Sequence, residues 1–113
     1  MPFDEQLLSD HVVLVADDCG RVIGTVYANL SSPHFGYVFG LYVAPASRHQ
    51  GVGRELMAAI ARVLVAGGRD HVVLSVDTPN EAARAFYKNL GFEDASRMLR
   101  LPTKALLRDE PPA

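Results

Sequence analysis

The sequence predicts an α/β fold built on one mixed sheet: an antiparallel meander, then a βαβα unit and a last strand. Three observations carry this. The β-branched apolar runs His11–Ala16 and Arg21–Asn29 flank Asp17-Asp18-Cys19-Gly20, residues that tolerate the positive φ of a hairpin turn. From Gln50 to Ala66, Val52, Leu56, Ile60, Val63 and Leu64 recur near the 3.6-residue helical period. After a double glycine, a nearly continuous apolar run from His71 to Val76 reads as a strand covered on both faces.

Each element has a local reason. Phe3, Leu7 and Leu8 suggest a short amphipathic helix over Phe3 to Ser9, with Asp4 and Glu5 near its positive end. After the hairpin, Ser31-Ser32-Pro33-His34 interrupts the second strand, because proline lacks a ladder donor, and Tyr37 to Val43 supplies a third. Gly40 lies inside that third strand, where a missing side chain commonly marks a bulge or the close approach of another backbone or a ligand. Pro45 ends the strand, and Gly67-Gly68 stops the following helix because glycine accepts the left-handed conformation favoured at helix ends. Asn80 is a good N-cap for a second helix running to Leu90, and Gly91 ends it. Alternation from Ala95 to Leu101 predicts the last strand, and the residues from Lys104 to Ala113 read as a frayed tail. All 113 residues are expected to form a single domain.

Composition narrows the function classes. With 49% hydrophobic and 21% charged residues the chain is ordinary globular material, and its small size favours a homodimer that covers one face. Eleven basic against thirteen acidic residues leave a formal charge of -2, so no broad positive field is available for nucleic acid or a membrane surface. No apolar stretch approaches the roughly 20 residues needed to span a bilayer. The single cysteine, Cys19, forms no internal disulfide, the first residues lack a secretory pattern, and a cytoplasmic location is expected. The histidines show no metal-ligand grouping, and a metal-free protein is expected.

Chemistry concentrates in two places. The turn Arg48-His49-Gln50-Gly51-Val52-Gly53 leads from the third strand into the central helix. A helix start presents unpaired N-H groups and about half a positive charge, which suits a pyrophosphate, and the glycines permit close approach. Arg48 and Arg54 offer charge-assisted contacts to phosphate, with solvation as the alternative for Arg54. The second group is Asn80, Ala83, Phe86, Tyr87, Leu90, Gly91 and Phe92, one strand and one helix later.

Together these groups resemble the GCN5-related N-acetyltransferase family over roughly residues 11 to 101. The family's central box, Arg or Gln, two residues, Gly, one residue, then Gly or Ala, is matched by Arg48, Gly51 and Gly53 after Tyr42-Val43. Its later box is matched by Asn80, Tyr87 and Gly91-Phe92. The resemblance implies an acetyl-coenzyme A cosubstrate and an amine acceptor. It implies a sheet whose third and later strands splay apart, with the pantetheine arm along Leu41-Tyr42-Val43 and the pyrophosphate on Arg48 to Arg54. Asn80, Ala83, Phe86 and Tyr87 would complete the cosubstrate site. Tyr87 would protonate the departing thiolate, a role suited to a phenol of ordinary pKa about 10; core packing is its alternative, as N-capping is for Asn80. Val43 is the expected backbone oxyanion donor.

Two departures stand out. Many members carry a glutamate base in the third strand, whereas Tyr37-Val38-Phe39-Gly40 has no acid; His34 or a water ordered by Tyr42 are the substitutes considered. Only about ten residues precede the first long strand, where members usually have another strand and two helices that wall the acceptor site, so an open acceptor cleft, a wall supplied by a second chain or a truncated inactive domain are the expectations. The expected activity is N-acetyl transfer to an amine of a small molecule or protein. A non-catalytic acyl-coenzyme A binding module or truncated inactive relative is the alternative, and a scaffold without ligand the third reading.

Overall fold

The computed structural model describes residues 10–77, 79–95 and 100–107. They fall in two compact units, Met1–Glu81 and Ala82–Ala113. The expected helix over Phe3 to Ser9 lies outside the described residues.

The first unit is a four-stranded sheet in the order β1-β2-β3-β4, formed by β1 (His11–Asp18), β2 (Arg21–Asn29), β3 (Phe35–Val43) and β4 (His71–Leu74). The first three strands are the expected antiparallel meander, and β4 joins β3 in parallel through the crossover helix α1 (Val52–Ala66). The hairpin turn holds Cys19 at φ 52° and Gly20 at φ 88°, the pair of positive φ values of a two-residue turn whose twist matches the strands. Gly68, at φ 78°, ends α1: its N-H reaches the Val65 carbonyl at 3.0 Å, and the Arg69 N-H reaches Leu64 at 2.9 Å. That pair of bonds is a Schellman cap.

The core lies between α1 and one face of the sheet. Leu56, Met57, Ile60 and Leu64 on the helix meet Val26, Ala28 and Val38 on the strands, all buried. Burying each of Ile60, Leu64 and Val26 contributes about 1.5–3 kcal/mol. Two glycines set the helix height. A Cβ at Gly36 would collide with the Leu64 side chain, and one at Gly24 would stand 3.0 Å from Leu56 Cδ1 and from the Tyr42 carbonyl.

Several boundaries differ from expectation. α1 starts at Val52 rather than Gln50, because His49 at φ 63° and Gly51 at φ 85° hold left-handed conformations that a right-handed helix excludes. β4 stops at Leu74 instead of Val76, and none of its residues is buried: His71 and Val73 alternate outward, so only one face of this strand is covered by α1. The last strand expected over Ala95 to Leu101 falls mostly on 96–99, outside the described residues, while Ala95, Arg100 and Leu101 are not in a strand. Within the expected tail, Thr103–Leu107 forms a 3-10 helix, since Pro102 needs no N-H partner there and its carbonyl accepts from Ala105 at 2.9 Å.

α2 spans Glu81–Leu90 and so starts directly after Asn80, and from Ala82 onward it lies in the second unit.

Candidate functional site

The site grows from an irregularity in β3. Tyr27 pairs with Gly40 and its neighbour Ala28 with Val38, so Phe39 is an extra residue and β3 bulges there. Gly40 also admits the Tyr27 ring, whose Cδ2 lies 3.0 Å from where a Cβ would stand. The expected bulge is present beside this glycine, and the group that approaches it is the Tyr27 side chain.

Just before the bulge, β4 leaves β3. Their parallel register runs from Phe35↔His71 to Val38↔Leu74 and no further, while β3 continues against β2 to Val43. At the fork the Tyr37 and Ser75 hydroxyls share a hydrogen bond of 2.8 Å. The antiparallel pattern fixes which groups β4 leaves behind. Ala44 N-H donates to the Ile23 carbonyl at 2.8 Å, so by alternation the N-H and C=O of Leu41 and Val43 face away from β2, toward the edge that β4 has vacated. The Leu41 and Val43 side chains share the α1 face with Val26 and Gly24, and Tyr42 is exposed on the other face.

The chain then makes a tight turn into α1. Pro45–Ser47 is one 3-10 turn, closed by Ser47 N-H on Ala44 O at 2.8 Å. Arg48 folds back: its Nε donates to the Val43 carbonyl at 2.9 Å, and its Cζ lies 5.9 Å from the centre of the Tyr42 ring. Gln50 Nε2 donates to Ala46 O at 3.3 Å. The first helical hydrogen bond is Glu55 N-H to Gly51 O at 3.0 Å, so the N-H groups of Val52, Gly53 and Arg54 are the orphan donors of the α1 N-terminus. His49, Gln50, Gly51 and Arg54 are exposed, and Val52 and Gly53 half-buried. The helix dipole adds positive potential there. Chemically, the arrangement offers backbone donors along a strand edge and an anion-accepting helix start directly beyond it.

In the second unit, Tyr87 is held by aromatic neighbours. Its ring lies 5.2 Å from Phe86 and 5.5 Å from Phe92, both edge to face. Gly91, at φ 103°, donates to Lys88 O at 3.0 Å, and Phe92 N-H reaches Tyr87 O at 3.1 Å, so Gly91-Phe92 is a second Schellman cap with its apolar contact in place. Half-buried Tyr87 has its phenol pKa raised by desolvation, so it stays protonated at neutral pH. Ala83 and Phe86 are also half-buried, and Asn80 is exposed.

The structure thus makes Leu41–Val43 and Arg48–Arg54 one continuous segment, and places Ala83, Phe86 and Tyr87 together on α2. His34 sits before β3, nine residues from Val43, which at about 3.3 Å per residue is roughly 30 Å of extended chain. It therefore does not reach the far end of β3. The reading of the sequence missed the Tyr37–Ser75 bond and Arg69, whose Nε and Nη2 donate to the Ser32 and Leu30 carbonyls at 2.8 and 2.7 Å. Neither had a local signal, since each joins segments more than 30 positions apart. Among the described residues there is no grouping of histidine, cysteine and acidic side chains able to hold a metal ion. Nor is any described helix long and apolar enough to cross a membrane.

A forked mixed sheet followed by a glycine turn and helix is the architecture of the coenzyme A-dependent acetyltransferases. An aminoglycoside N-acetyltransferase solved in complex with CoA superposes with a TM-score of 0.78 at 23% identity, over 88% of this chain and 81% of that one. A second aminoglycoside acetyltransferase, from an uncultured soil sample, gives 0.73 at 20% identity, over 90% of this chain and 74% of that one. The model of the acetyltransferase (GNAT) family matches residues 2–92, and the chain belongs to that family. An acetyltransferase of Photorhabdus laumondii subsp. laumondii is 31% identical over 86% of this chain and 67% of its own length. The mycothiol acetyltransferase of Kocuria rhizophila is 38% identical over 67% of this chain. The chain spans 27% of that relative's length. It spans 25% of the human N-alpha-acetyltransferase 30, to which it is 29% identical over 79% of the chain.

Proposed function

We propose that the chain is an acetyl-coenzyme A-dependent N-acetyltransferase acting on a primary amine of a small molecule or protein. The observation that carries this reading is the fork: β3 keeps its Leu41 and Val43 backbone groups facing a vacated edge and runs straight into the glycine turn that opens α1. An extended pantetheine arm pairs with such an edge as a strand would. The pyrophosphate then lies at the N-H groups of Val52 to Arg54, with His49, Gln50 and Gly51 forming the exposed lip. Asn80, Ala83 and Phe86 complete the cosubstrate contacts by analogy with the family's later box.

In the reaction the neutral amine attacks the thioester carbon, a C-N bond forms and the C-S bond breaks. The Val43 N-H would stabilise charge on the thioester oxygen, as a preorganised backbone donor does. Tyr87 would protonate the departing thiolate, and its raised pKa keeps the proton available at neutral pH. The amine's proton goes to solvent directly or through a water. The relatives and structural neighbours are named as mycothiol, N-alpha- and aminoglycoside acetyltransferases; the acceptor class here is an amine. A homodimer belongs to the same reading, supported by the small core and by Val13, Val15 and Phe39, each at least half exposed on the sheet, and a cytoplasmic location is proposed with it.

One observation favours a second reading, a module that binds acyl-coenzyme A without turnover: none of the residues Phe35 to Val43 is acidic, so β3 supplies no carboxylate base. Isothermal titration with acetyl-coenzyme A, followed by thiol release with and without added amines, separates the two. Binding with amine-dependent release supports the enzyme; binding without release across a broad amine panel supports the module; no binding by folded protein ends both.

A further inference from the structure

We propose that Arg48 serves the cosubstrate site as a positioning residue, acting through the Val43 carbonyl and not through a charge contact with phosphate. The inference rests on the site reading above and adds a role that the sequence pattern alone assigns differently.

The geometry is specific. The Val43–Ala44 peptide is held from both sides: its N-H, on Ala44, donates to the Ile23 carbonyl at 2.8 Å, and its C=O accepts from Arg48 Nε at 2.9 Å. The first bond is the last rung of the β2–β3 ladder. The second replaces the rung that β4 would have supplied had it not stopped at Leu74. Arg48 is also anchored through its own backbone, whose N-H points to the Pro45 carbonyl at 3.4 Å. The guanidinium over Tyr42, at 5.9 Å, holds the side chain across the strand end. One side chain thereby ties the turn to the strand, so the edge donors of β3 and the orphan N-H groups of α1 keep a fixed separation. Arg48 occupies one lone pair of the Val43 carbonyl, and the Val43 N-H and the Leu41 groups face the cosubstrate arm on the same edge.

The bond involves Nε, and this makes the role separable from charge. Glutamine carries its Nε2 donor the same number of bonds from Cα as arginine carries Nε. Lysine keeps the charge but places its nitrogen one atom farther out, and methionine has neither donor nor charge.

The test is titration of wild type, Arg48→Gln, Arg48→Lys and Arg48→Met with acetyl-coenzyme A at low and at high salt, with melting temperatures recorded. The expected order is Arg48→Gln within about twofold of wild type, and Arg48→Lys and Arg48→Met each weaker by about tenfold, the scale of one lost hydrogen bond. Wild type and Arg48→Gln should weaken equally with salt, because no ionic contact has been removed. The reverse order, with Arg48→Lys near wild type and Arg48→Gln as weak as Arg48→Met and less sensitive to salt, overturns the proposal in favour of a phosphate contact. Equal affinities for all four proteins overturn it as well. Those two results leave the cosubstrate site standing, whereas folded wild type that fails to bind acetyl-coenzyme A removes the site reading and this role together.

Discussion

The Phe92 N-H donates to the Tyr87 carbonyl at 3.1 Å, and the two rings meet 5.5 Å apart at 73°. The helix end that positions Tyr87 is therefore built by the residues that follow it. Gly91 provides the left-handed turn, and Phe92 supplies both the backbone bond and the edge-to-face contact. A Gly-Phe pair after this helix thus has a physical task, which is to fix the Tyr87 side of the last turn.

Tyr87→Phe keeps the ring and its contacts and removes only the hydroxyl. Thiol release from acetyl-coenzyme A in the presence of a good amine should fall by on the order of 10²-fold, with acetyl-coenzyme A affinity and melting temperature little changed. A variant as fast as wild type would show that another group protonates the thiolate.

The raised Tyr87 pKa has a signed consequence for stability. Below the ordinary phenol value of about 10 both folded and unfolded forms are protonated, and this group adds no pH dependence. Above it the unfolded state releases the proton first, so stability falls as pH rises through the raised folded value. Denaturant midpoints between pH 9 and 11 should drop less in Tyr87→Phe than in wild type.

Gly51→Asp tests the turn. A Cβ there meets nothing within 4 Å, and an acidic residue at a helix N-cap offsets part of the strain of φ 85°, so the fold should persist. The added carboxylate would face the diphosphate, and titration should show acetyl-coenzyme A affinity reduced by at least about tenfold, from like-charge repulsion. Unchanged affinity would place the cosubstrate elsewhere.

Arg69 is structural. Its charged donors close on two part-buried carbonyls of the loop after β2, so Arg69→Met should lose about 2–3 kcal/mol in chemical denaturation. Gly36→Ala should cost about 1–3 kcal/mol by driving a methyl into Leu64, and adding Leu64→Val should recover part of it.

The sequence by itself determined the order of the elements among the described residues, the hairpin, the two glycine-ended helices and where both motif groups fall along the chain, because each depends on residues within a few positions of one another. Period, turn chemistry and capping are local properties, and Gly40, Gly51 and Gly91 declared themselves by having no side chain. Tertiary structure decided where β4 stops, since strand pairing ends only when two distant segments diverge, and Val76 is as apolar as Val72. It also decided the partners of the arginines. An arginine's reach covers many carbonyls, and which one it meets depends on the packing of α1 on the sheet. Arg48, which the sequence offers as a phosphate contact, is found on the carbonyl of Val43, while Arg69, which no local pattern singles out, is found binding the Ser32 and Leu30 carbonyls.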